Sequence, residues 1–249
     1  MNDFVEIKEN ERIDDLEINN LKIIQNKDGF CFGIDSVLLS DFAKTIKKDA
    51  EVLDLGTGTA ILPILLTAKT DAKHIVGVEI QEHVAEMAKR SIKINNLEKK
   101  IEIIGEDIKH LPEILPTSSY DTIVTNPPYM KTNTGLQNKS IEKLIARHEI
   151  KCTVEDIAKV SNKLLKDRGE IYMVHRPDRL VDIVAYFRKY KLEIKKVRFV
   201  FPQKGKGANL VLLKAVKNAQ SFMKVEEPLY VYEENGEYTE EIKRIYNKK

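Results

Sequence analysis

The sequence predicts an α/β fold, in which a mostly parallel, twisted sheet carries helices on both faces. The first observation behind this prediction is that short apolar runs recur along the chain and are continuous rather than alternating, as in strands buried on both faces. The second is that amphipathic helical stretches separate these runs. Strict alternation of strand and helix is typical of parallel βαβ units with right-handed crossovers.

Five apolar runs are predicted to be strands of the sheet. Each is five to seven residues long, which suits a buried strand better than a helix. They are EVLDL (51–55), HIVGVEI (74–80), IEIIG (101–105), DTIVT (121–125) and EIYMV (170–174).

Two stretches between these runs are predicted to be helices because their apolar residues share one face. Those residues are Val84, Met87, Ala88 and Ile92 in QEHVAEMAKRSIKINN, and Ile157, Val160 and Leu164 in TVEDIAKVSNKLLKDRG. In the second stretch, Thr153 with Asp156 three residues later predicts the N-cap, and Gly169 predicts the end of the helix.

Composition predicts one domain with additions at its ends. A chain of 249 residues with 42% hydrophobic residues can bury a sizeable core. We expect a central domain over 46–218, an N-terminal extension over 1–45 and a charged C-terminal tail over 219–249.

Long apolar runs are absent and the N-terminus is acidic, so we expect a soluble, cytoplasmic protein. Cys31 and Cys152 show no metal-ligand spacing and are predicted to be reduced packing residues, with no metal bound.

The charges are distributed unevenly although the totals nearly balance. Residues 1–20 carry seven acids and two bases, whereas residues 186–217 carry ten bases and one acid. The second segment can be a solvated lysine-rich surface, or it can be a face that binds phosphates.

Ligands of such a sheet bind at the carboxyl ends of its strands, so the residues after each apolar run are the candidates for chemistry. The first run ends in LDLGTGTA, where Gly56 and Gly58 allow a tight turn toward a helix N-terminus. A dinucleotide fingerprint would need a small residue where Ile61 stands. The acid Asp54 ahead of the glycines favours a ligand with a positive charge instead.

Acids also end the next two runs. Glu79 can accept both hydroxyls of a ribose, and Asp107 in GEDI can accept from the exocyclic amine of an adenine. Each can equally be structural, Glu79 as an acid opening a helix and Asp107 as a turn residue. Together with the glycine turn they describe a pocket for a ribose-bearing adenine ligand with a cationic end, which S-adenosylmethionine fits.

The fourth run is followed by TNPPYM, and two consecutive prolines cannot continue a central strand. With this motif the sequence resembles the class I S-adenosylmethionine-dependent methyltransferases over roughly residues 30–217, specifically members with an Asn-Pro-Pro-Tyr motif. The resemblance implies a Rossmann-like, mostly parallel seven-stranded sheet. It implies cofactor contacts from Gly33, Asp35, Asp54, Gly56, Gly58, Glu79, Ile80, Asp107, Ile108 and Asn126.

The chemistry of a planar amine explains the motif. Its nitrogen delocalises a lone pair into the ring and is a poor nucleophile. The side-chain oxygen of Asn126 and the carbonyl of Pro127 can accept its two N–H bonds and direct the lone pair at the methyl group. Pro128 restrains the residue before it, and Tyr129 offers a ring for stacking. The alternative is a type I or type VI turn that closes a strand.

The motif specifies the kind of nitrogen and leaves the substrate open among adenine in DNA or tRNA, guanine in ribosomal RNA and glutamine in a release factor. About 50 residues precede LDLGTG, too few for the helical domain of the glutamine methylases, and no insert for DNA target recognition is present. QNKDGFCFGIDSVLLSDF (25–42) and PQKGKGANLVLLKAVKN (202–218) resemble the bacterial tRNA1(Val) (adenine-37-N6)-methyltransferase family. That resemblance makes residues 1–45 an extension with a lid segment, in which Phe32, Gly33 and Asp35 border the cofactor. A departure is Ala60, where many relatives have glycine.

The resemblance implies methylation of adenine N6 in tRNA beside the anticodon, with a monomer favoured. The alternatives are another planar nitrogen, or a non-catalytic RNA-binding module, which the cofactor pocket disfavours. Arg147 and His148 can contact substrate or be surface charges. If the basic segment shares a face with the catalytic strand ends, it holds the RNA backbone. The predicted RNA contacts are Arg188, Lys195, Lys196, Lys204 and Lys206.

Overall fold

The computed structural model describes residues 5–27, 33–128 and 152–246. In these ranges, nine strands form one sheet and two further strands form an N-terminal hairpin. The hairpin strands are β1 (Glu11–Asp15) and β2 (Lys22–Asn26). The sheet strands are β3 (Glu51–Leu55), β4 (His74–Val78), β5 (Ile101–Ile104), β6 (Tyr120–Thr125), β7 (Leu165–His175), β8 (Leu192–Gln203), β9 (Leu210–Lys217), β10 (Lys224–Val225) and β11 (Leu229–Tyr232).

The sheet is parallel except for β9, which runs antiparallel between β7 and β8. Its order is β10-β8-β9-β7-β6-β3-β4-β5, and β11 also pairs with β8. The seven strands β3 to β9 form the predicted seven-stranded sheet, and β10 and β11 extend its edge. The predicted α/β class is therefore confirmed.

Helices cover both faces of the sheet. They are α1 (Ile34–Phe42), α2 (Ile61–Lys69), α3 (Glu82–Ile94), α4 (Leu111–Ile114), α5 (Val154–Leu164), α6 (Leu180–Lys189) and α7 (Glu240–Ile245). Neighbouring strand residues point to opposite faces, so Val52 belongs to the core beneath α1, α2 and α3, and Leu53 to the core beneath α5 and α6. None of the helices in the described ranges combines the length and the hydropathy of a membrane-spanning segment.

The second predicted helix begins as expected and ends earlier. Thr153 and Asp156 form a complete capping box at the start of α5, which confirms the predicted N-cap. The prediction that Gly169 ends this helix is wrong, because α5 ends at Leu164 and β7 begins at the next residue. Gly169 lies inside β7, where an added Cβ would come within 2.9 Å of the Lys166 carbonyl oxygen. It permits close approach of two backbone segments at a bulge between β6 and β7.

The segments at both ends of the chain pack against the central fold. Residues of the C-terminal segment form β10, β11 and α7, an ordered arrangement that the composition left undecided. Ile242 and Ile245 of α7 enter the same core as Leu16 and Ile18 of the N-terminal segment. Partly buried Cys152 packs against the second core, and burial raises the pKa of its thiol to about 12, which suits a packing role. Cys31 lies outside the described residues.

An ion-pair network fixes the N-terminal hairpin to α3. The Arg90 guanidinium donates to both carboxylate oxygens of Glu11 at 2.6 Å, and to Glu86 at 2.7 and 2.9 Å. The side chains of Arg90 and Glu11 are only 12% and 5% exposed. These hydrogen bonds to Arg90 lower the pKa of Glu11. Backbone amides of β2 also donate to Ser91 and Asn95 of α3.

We predict that Arg90→Met lowers the free energy of unfolding by about 3 kcal/mol, because it leaves the Glu11 carboxylate buried without its partner. Glu86→Gln is the matched control, since the Glu86 side chain is 44% exposed and the Arg90–Glu11 pair survives; its cost should stay below about 1 kcal/mol. Urea denaturation measures both. Equal costs would contradict the assignment of Glu11 as the buried anchor.

Candidate active site

The carboxyl ends of β3, β4 and β6 bring three predicted segments to one edge of the sheet. β3 lies between β4 and β6, so the glycine turn after β3 sits beside both Glu79 and Asn126. The Thr125 hydroxyl, fully buried, donates to the Leu55 carbonyl oxygen at 2.8 Å and ties the ends of β3 and β6 together. The motif at 126–128 and the turn at 56–58 are therefore held side by side.

The glycine turn has the backbone conformation that its residues predict. Gly56 and Gly58 have φ of 79° and 57°, in the left-handed region. The amides of Gly56 and Thr57 donate to the Val78 carbonyl oxygen at 3.1 and 2.8 Å. The Gly58 amide donates to Glu79 Oε2 at 3.1 Å, so the acid after β4 supports the turn directly.

Asp54 is a buried carboxylate with unused hydrogen-bonding capacity. It is 1% exposed, and neither carboxylate oxygen has a hydrogen-bond partner among the described residues. Burial raises its pKa from 3.8 to about 7, and the charge of the neighbouring Glu79 adds to this rise. The Thr57 hydroxyl, also buried, has no hydrogen-bond partner in the described ranges either. A carboxylate in this state favours a ligand that brings donors or positive charge.

Gly77 makes room for this arrangement, and sequence reasoning missed it. It pairs with Asp54 across β3 and β4. A Cβ at this position would lie 2.7 Å from the Thr57 hydroxyl oxygen and 2.8 Å from Ile103 Cδ1. The signal was a glycine inside a buried strand, which indicates close approach of another group.

The backbone at Ala60 explains why the resemblance leads us to expect glycine at this position. Its φ is 70°, at the N-cap of α2, and its side chain is fully buried. The departure therefore concerns backbone conformation rather than the size of the side chain. An alanine in the left-handed region costs about 1 kcal/mol or more, which the surrounding fold must offset.

The acids after β4 and β5 accept hydrogen bonds within the fold, and their carboxylates can still accept hydrogen bonds from a ligand. Glu79 is 7% exposed; its Oε1 accepts from the Gln81 amide at 2.9 Å and its Oε2 from Gly58. Asp107 Oδ1 accepts from the Lys109 amide at 2.9 Å and caps a 3₁₀ helix. This agrees with the structural role as a turn residue that the sequence also allowed. Ile80 is 43% exposed beside Glu79, whereas Ile108 is partly buried against the second core.

Asn126 lies at the end of β6 with its amide held from one side. Its Nδ2 donates to Ser36 Oγ of α1 at 3.0 Å. Over the described residues, no hydrogen bond is assigned to its Oδ1. Pro127 is buried and Pro128 is exposed, and no cis peptide bond occurs in the described ranges, which excludes the type VI turn. Tyr129, Arg147 and His148 lie outside the described residues.

The start of α1 contributes the remaining predicted cofactor residues. Gly33 is the N-cap of α1, and a Cβ there would lie 3.4 Å from Asp35 Oδ1. Asp35 is 8% exposed in the first turn of the helix. The Asn126–Ser36 contact places this turn beside the end of β6. Phe32 lies outside the described residues.

The basic segment does not form one face at this edge. Arg188 precedes β8 and makes a two-bond ion pair with Glu193, and Lys195 and Lys196 lie in the first half of β8. Lys196 pairs with Glu226, and Lys195 donates to a backbone carbonyl. At least seven of the ten bases at 186–217 have such internal partners: Arg188, Lys189, Lys195, Lys196, Arg198, Lys214 and Lys217.

Lys204 and Lys206 are placed differently. They follow the carboxyl end of β8, are exposed, and form no ion pair or side-chain hydrogen bond with any described residue. The acidic turn 233–237 adjoins this loop, since Gln203 Nε2 donates to the Glu233 carbonyl oxygen at 3.0 Å. The positive charge at this edge is therefore smaller than the sequence predicts.

The site offers the carboxylates of Asp54, Glu79 and Asp107 around the glycine turn, and these acceptors suit an adenosyl ligand with a positively charged end. Two orphaned oxygens of Asp54 next to the open glycine turn fit such a group. Across residues 5–27, 33–128 and 152–246, no cluster of three or more His, Cys, Asp or Glu side chains is arranged to hold a metal ion. The strand order of the sheet, together with a glycine turn that directly follows the acid Asp54, defines the class I methyltransferase fold.

The comparisons with known proteins agree with this class. The model of the methyltransferase small domain family matches residues 32–200, and the chain belongs to that family. This confirms the resemblance to methyltransferases. Proteins named tRNA1(Val) (adenine(37)-N6)-methyltransferase are similar to it: 29% identity over 64% of both chains in Porphyromonas gingivalis, and 25% over 90% of this chain and 95% of the relative in Flavobacterium psychrophilum. The match thus spans about 64% of the Porphyromonas relative.

Solved structures share the fold. A predicted O-methyltransferase from Agrobacterium tumefaciens has a TM-score of 0.68 and 20% identity, covering 86% of this chain and 95% of that one. The M. jannaschii protein TYW2 in complex with AdoMet has a TM-score of 0.58 and 16% identity, covering 84% of this chain and 86% of that one.

We predict that Asp54→Asn is stabilising relative to the ligand-free wild type, and increasingly so as pH rises from about 4 to about 7. The folded pKa of Asp54 is raised, so folding retains a proton and stability is lost as pH rises through about 7. Asparagine removes this loss. Urea denaturation at several pH values measures the difference.

Asp121→Asn is the control with the opposite slope. Although burial acts to raise it, the pKa of Asp121 is lowered, because Lys166 and the Glu51 amide bond its carboxylate. Its contribution is present above its ordinary pKa and is lost as pH falls, so the variant should lose more at high pH. A parallel pH dependence in the two variants would contradict the assignment of Asp54.

Proposed function

We propose that this chain transfers a methyl group from S-adenosylmethionine to an exocyclic amine, the N6 of adenine in tRNA next to the anticodon. The observation that carries the proposal is the Asn126 amide. It stands at the end of β6, beside the glycine turn, with Nδ2 bonded to Ser36 and Oδ1 available to accept.

We assign the cofactor to the edge of the sheet where β3, β4 and β5 have their carboxyl ends. Asp54 and the turn at Gly56 and Gly58 are assigned to its charged end, Glu79 to the ribose, and Asp107 to the adenine. We assign Ile80, which is exposed beside Glu79, to an apolar contact with the base, and we assign Ile108, Gly33 and Asp35 to the border of the cofactor site. When bound, S-adenosylmethionine supplies a methyl group already activated by its sulfonium.

The chain's own contribution to the reaction is alignment of the acceptor. Asn126 Oδ1 and the Pro127 carbonyl oxygen accept hydrogen bonds from the two N–H groups of the amine. These hydrogen bonds draw the nitrogen lone pair out of conjugation with the ring. Pro128 restrains the backbone that carries this carbonyl. We assign Tyr129, outside the described residues, to stacking on the base. The nitrogen gives up its proton to water afterwards, so no general base is required, and positioning carries most of the rate.

The substrate class rests on the relatives. Their names specify adenine 37 of tRNA1(Val), at identities of 22 to 30%. An adenine in a loop is unpaired, so it reaches a strand-end site at low cost. Membership in a methyltransferase family favours an enzyme over a non-catalytic RNA-binding module. Guanine N2 and glutamine N5 remain the competing acceptors for this motif.

We predict that Asn126→Ala lowers methyl transfer by about 100-fold or more, because it removes the acceptor of the amine's N–H bond. Affinity for S-adenosylmethionine should change little. Tritium transfer from labelled cofactor into undermethylated tRNA measures the first, and calorimetry the second. Asn162→Ala is the control, since this amide also donates across the fold, to the Tyr190 carbonyl oxygen at 2.8 Å, away from the site.

The product decides among the acceptors. N6-methyladenosine in digested tRNA supports the proposal. Label in ribosomal RNA or in a release factor would assign the motif to guanine or glutamine, and full activity of Asn126→Ala would remove Asn126 from the mechanism.

The RNA contacts are proposed to be Lys204 and Lys206, and no longer Arg188, Lys195 or Lys196. Because β8 runs parallel to β6, the loop after it lies at the same edge as Asn126; β9 and β7 lie between these two strands, which puts them roughly 14 Å apart across the sheet. That distance suits contact with the RNA backbone flanking the target base. Such contacts position the RNA without specifying its sequence.

We predict that Lys204→Glu with Lys206→Glu weakens RNA binding and reduces its dependence on salt, because up to two phosphate contacts are lost. Lys195→Glu with Lys196→Glu is the matched control, because it makes the same change in charge in the first half of β8, away from the carboxyl ends of the strands. Titration of labelled tRNA at several salt concentrations measures both, and cofactor affinity should stay constant. Equal losses in both double variants would show a diffuse charge effect and contradict the contact.

A further inference from the structure

We propose that Ser36 is a positioning residue that holds the Asn126 amide in the orientation required for methyl transfer. This inference rests on the proposed function, because it assigns a role toward the same acceptor. It concerns a residue of α1 that the sequence motifs did not indicate. The residue acts through Asn126 rather than on the reacting atoms.

The contact joins two rigid elements. Ser36 lies in the first turn of α1 and is 3% exposed, and its Oγ accepts from Asn126 Nδ2 at 3.0 Å across 90 positions of sequence. The helix is anchored by Val37, Leu38 and Leu39, each at most 1% exposed. Asn126 extends β6, which Thr125 fastens to β3. Support from packed elements fixes a side chain more closely than a loop does.

The chemistry of an amide explains why such support matters. One end of the Asn126 side chain accepts hydrogen bonds and the other donates them. The amine of the substrate presents two donors, so it must meet Oδ1; the NH₂ end would oppose donor with donor. Ser36 gives that NH₂ end an acceptor. Without it, the partly buried NH₂ group loses its partner and the amide gains orientations that present the wrong end.

Comparison with Ser40 in the same helix separates this role from an ordinary helical serine. Ser40 is fully buried, and its hydroxyl donates to the Val37 carbonyl oxygen at 2.7 Å, a bond within the helix. The side chain of Ser36 instead meets a residue of the sheet. The N-cap residue of α1 is Gly33, which supplies no side-chain cap, so Ser36 is not the capping residue either.

The test is Ser36→Ala, with Ser36→Thr and Ser40→Ala as companions. Removal of the acceptor should lower kcat about tenfold, with KM for tRNA and cofactor affinity nearly unchanged. Ser36→Thr keeps a hydroxyl and should recover most of the rate. Ser40→Ala removes a buried hydroxyl from the same helix and should leave kcat unchanged. Tritium transfer into tRNA, calorimetry with S-adenosylmethionine and thermal melting provide the readouts.

A double variant shows whether Ser36 acts through Asn126. In the Asn126→Ala background, Ser36→Ala should have no further effect on the residual rate. If Ser36→Ala keeps the wild-type kcat while Asn126→Ala is inactive, the inference is overturned and the proposed function stands. If Ser40→Ala lowers kcat as much as Ser36→Ala, a structural loss explains both and the inference also fails. If the wild type methylates no RNA, the proposed function fails and takes the inference with it.

Discussion

The site depends on the register between β3 and β6. The carboxyl ends of parallel strands lie at one edge of the sheet. The buried hydrogen bond from Thr125 to the Leu55 carbonyl oxygen aligns the carboxyl ends of β3 and β6. This puts the glycine turn and the Asn-Pro-Pro segment next to each other without a long connecting loop. The strand register of the sheet therefore fixes where the proposed cofactor and the proposed methyl acceptor lie relative to each other. Positioning of that kind is what an already activated methyl donor requires from its enzyme.

Several groups around the glycine turn are arranged at a cost to stability. Asp54 and Thr57 are buried without hydrogen-bond partners in the described ranges, and Ala60 has a left-handed conformation. The cores on both faces of the sheet offset these costs. A ligand that satisfies the Asp54 carboxylate would recover part of them, which links cofactor binding to stability. Such local costs are typical of functional sites.

Much of the fold followed from patterns that report local physics. Continuous apolar runs identified the central strands, and the capping pair at Thr153 and Asp156 identified the start of α5. The placement of Gly169 went wrong because a glycine that permits close backbone approach looks in sequence like one that ends a helix. The arrangement of β10, β11 and α7 could not be predicted, since the few apolar residues of this charged segment, such as Ile242 and Ile245, pack in a core built largely from residues distant in sequence.

The charge pattern misled for a related reason. Ten bases in one segment were compatible with a phosphate-binding face, but some of their partners, such as Glu226 and Glu241, lie outside that segment. Pairing of this kind depends on strand order and cannot be read from composition. The Ser36–Asn126 contact is likewise invisible in sequence, because 90 positions separate the two residues.

The central claim is that the oxygen of the Asn126 amide faces the amine that receives the methyl group. A crystal structure of the protein with S-adenosylhomocysteine and an adenosine-containing anticodon stem-loop tests it most directly. The account predicts Asn126 Oδ1 within hydrogen-bond distance of adenine N6, with Nδ2 still on Ser36 and the N6 atom facing the cofactor sulfur. An adenine bound elsewhere, or a cofactor bound away from the Gly56–Gly58 turn, would contradict it.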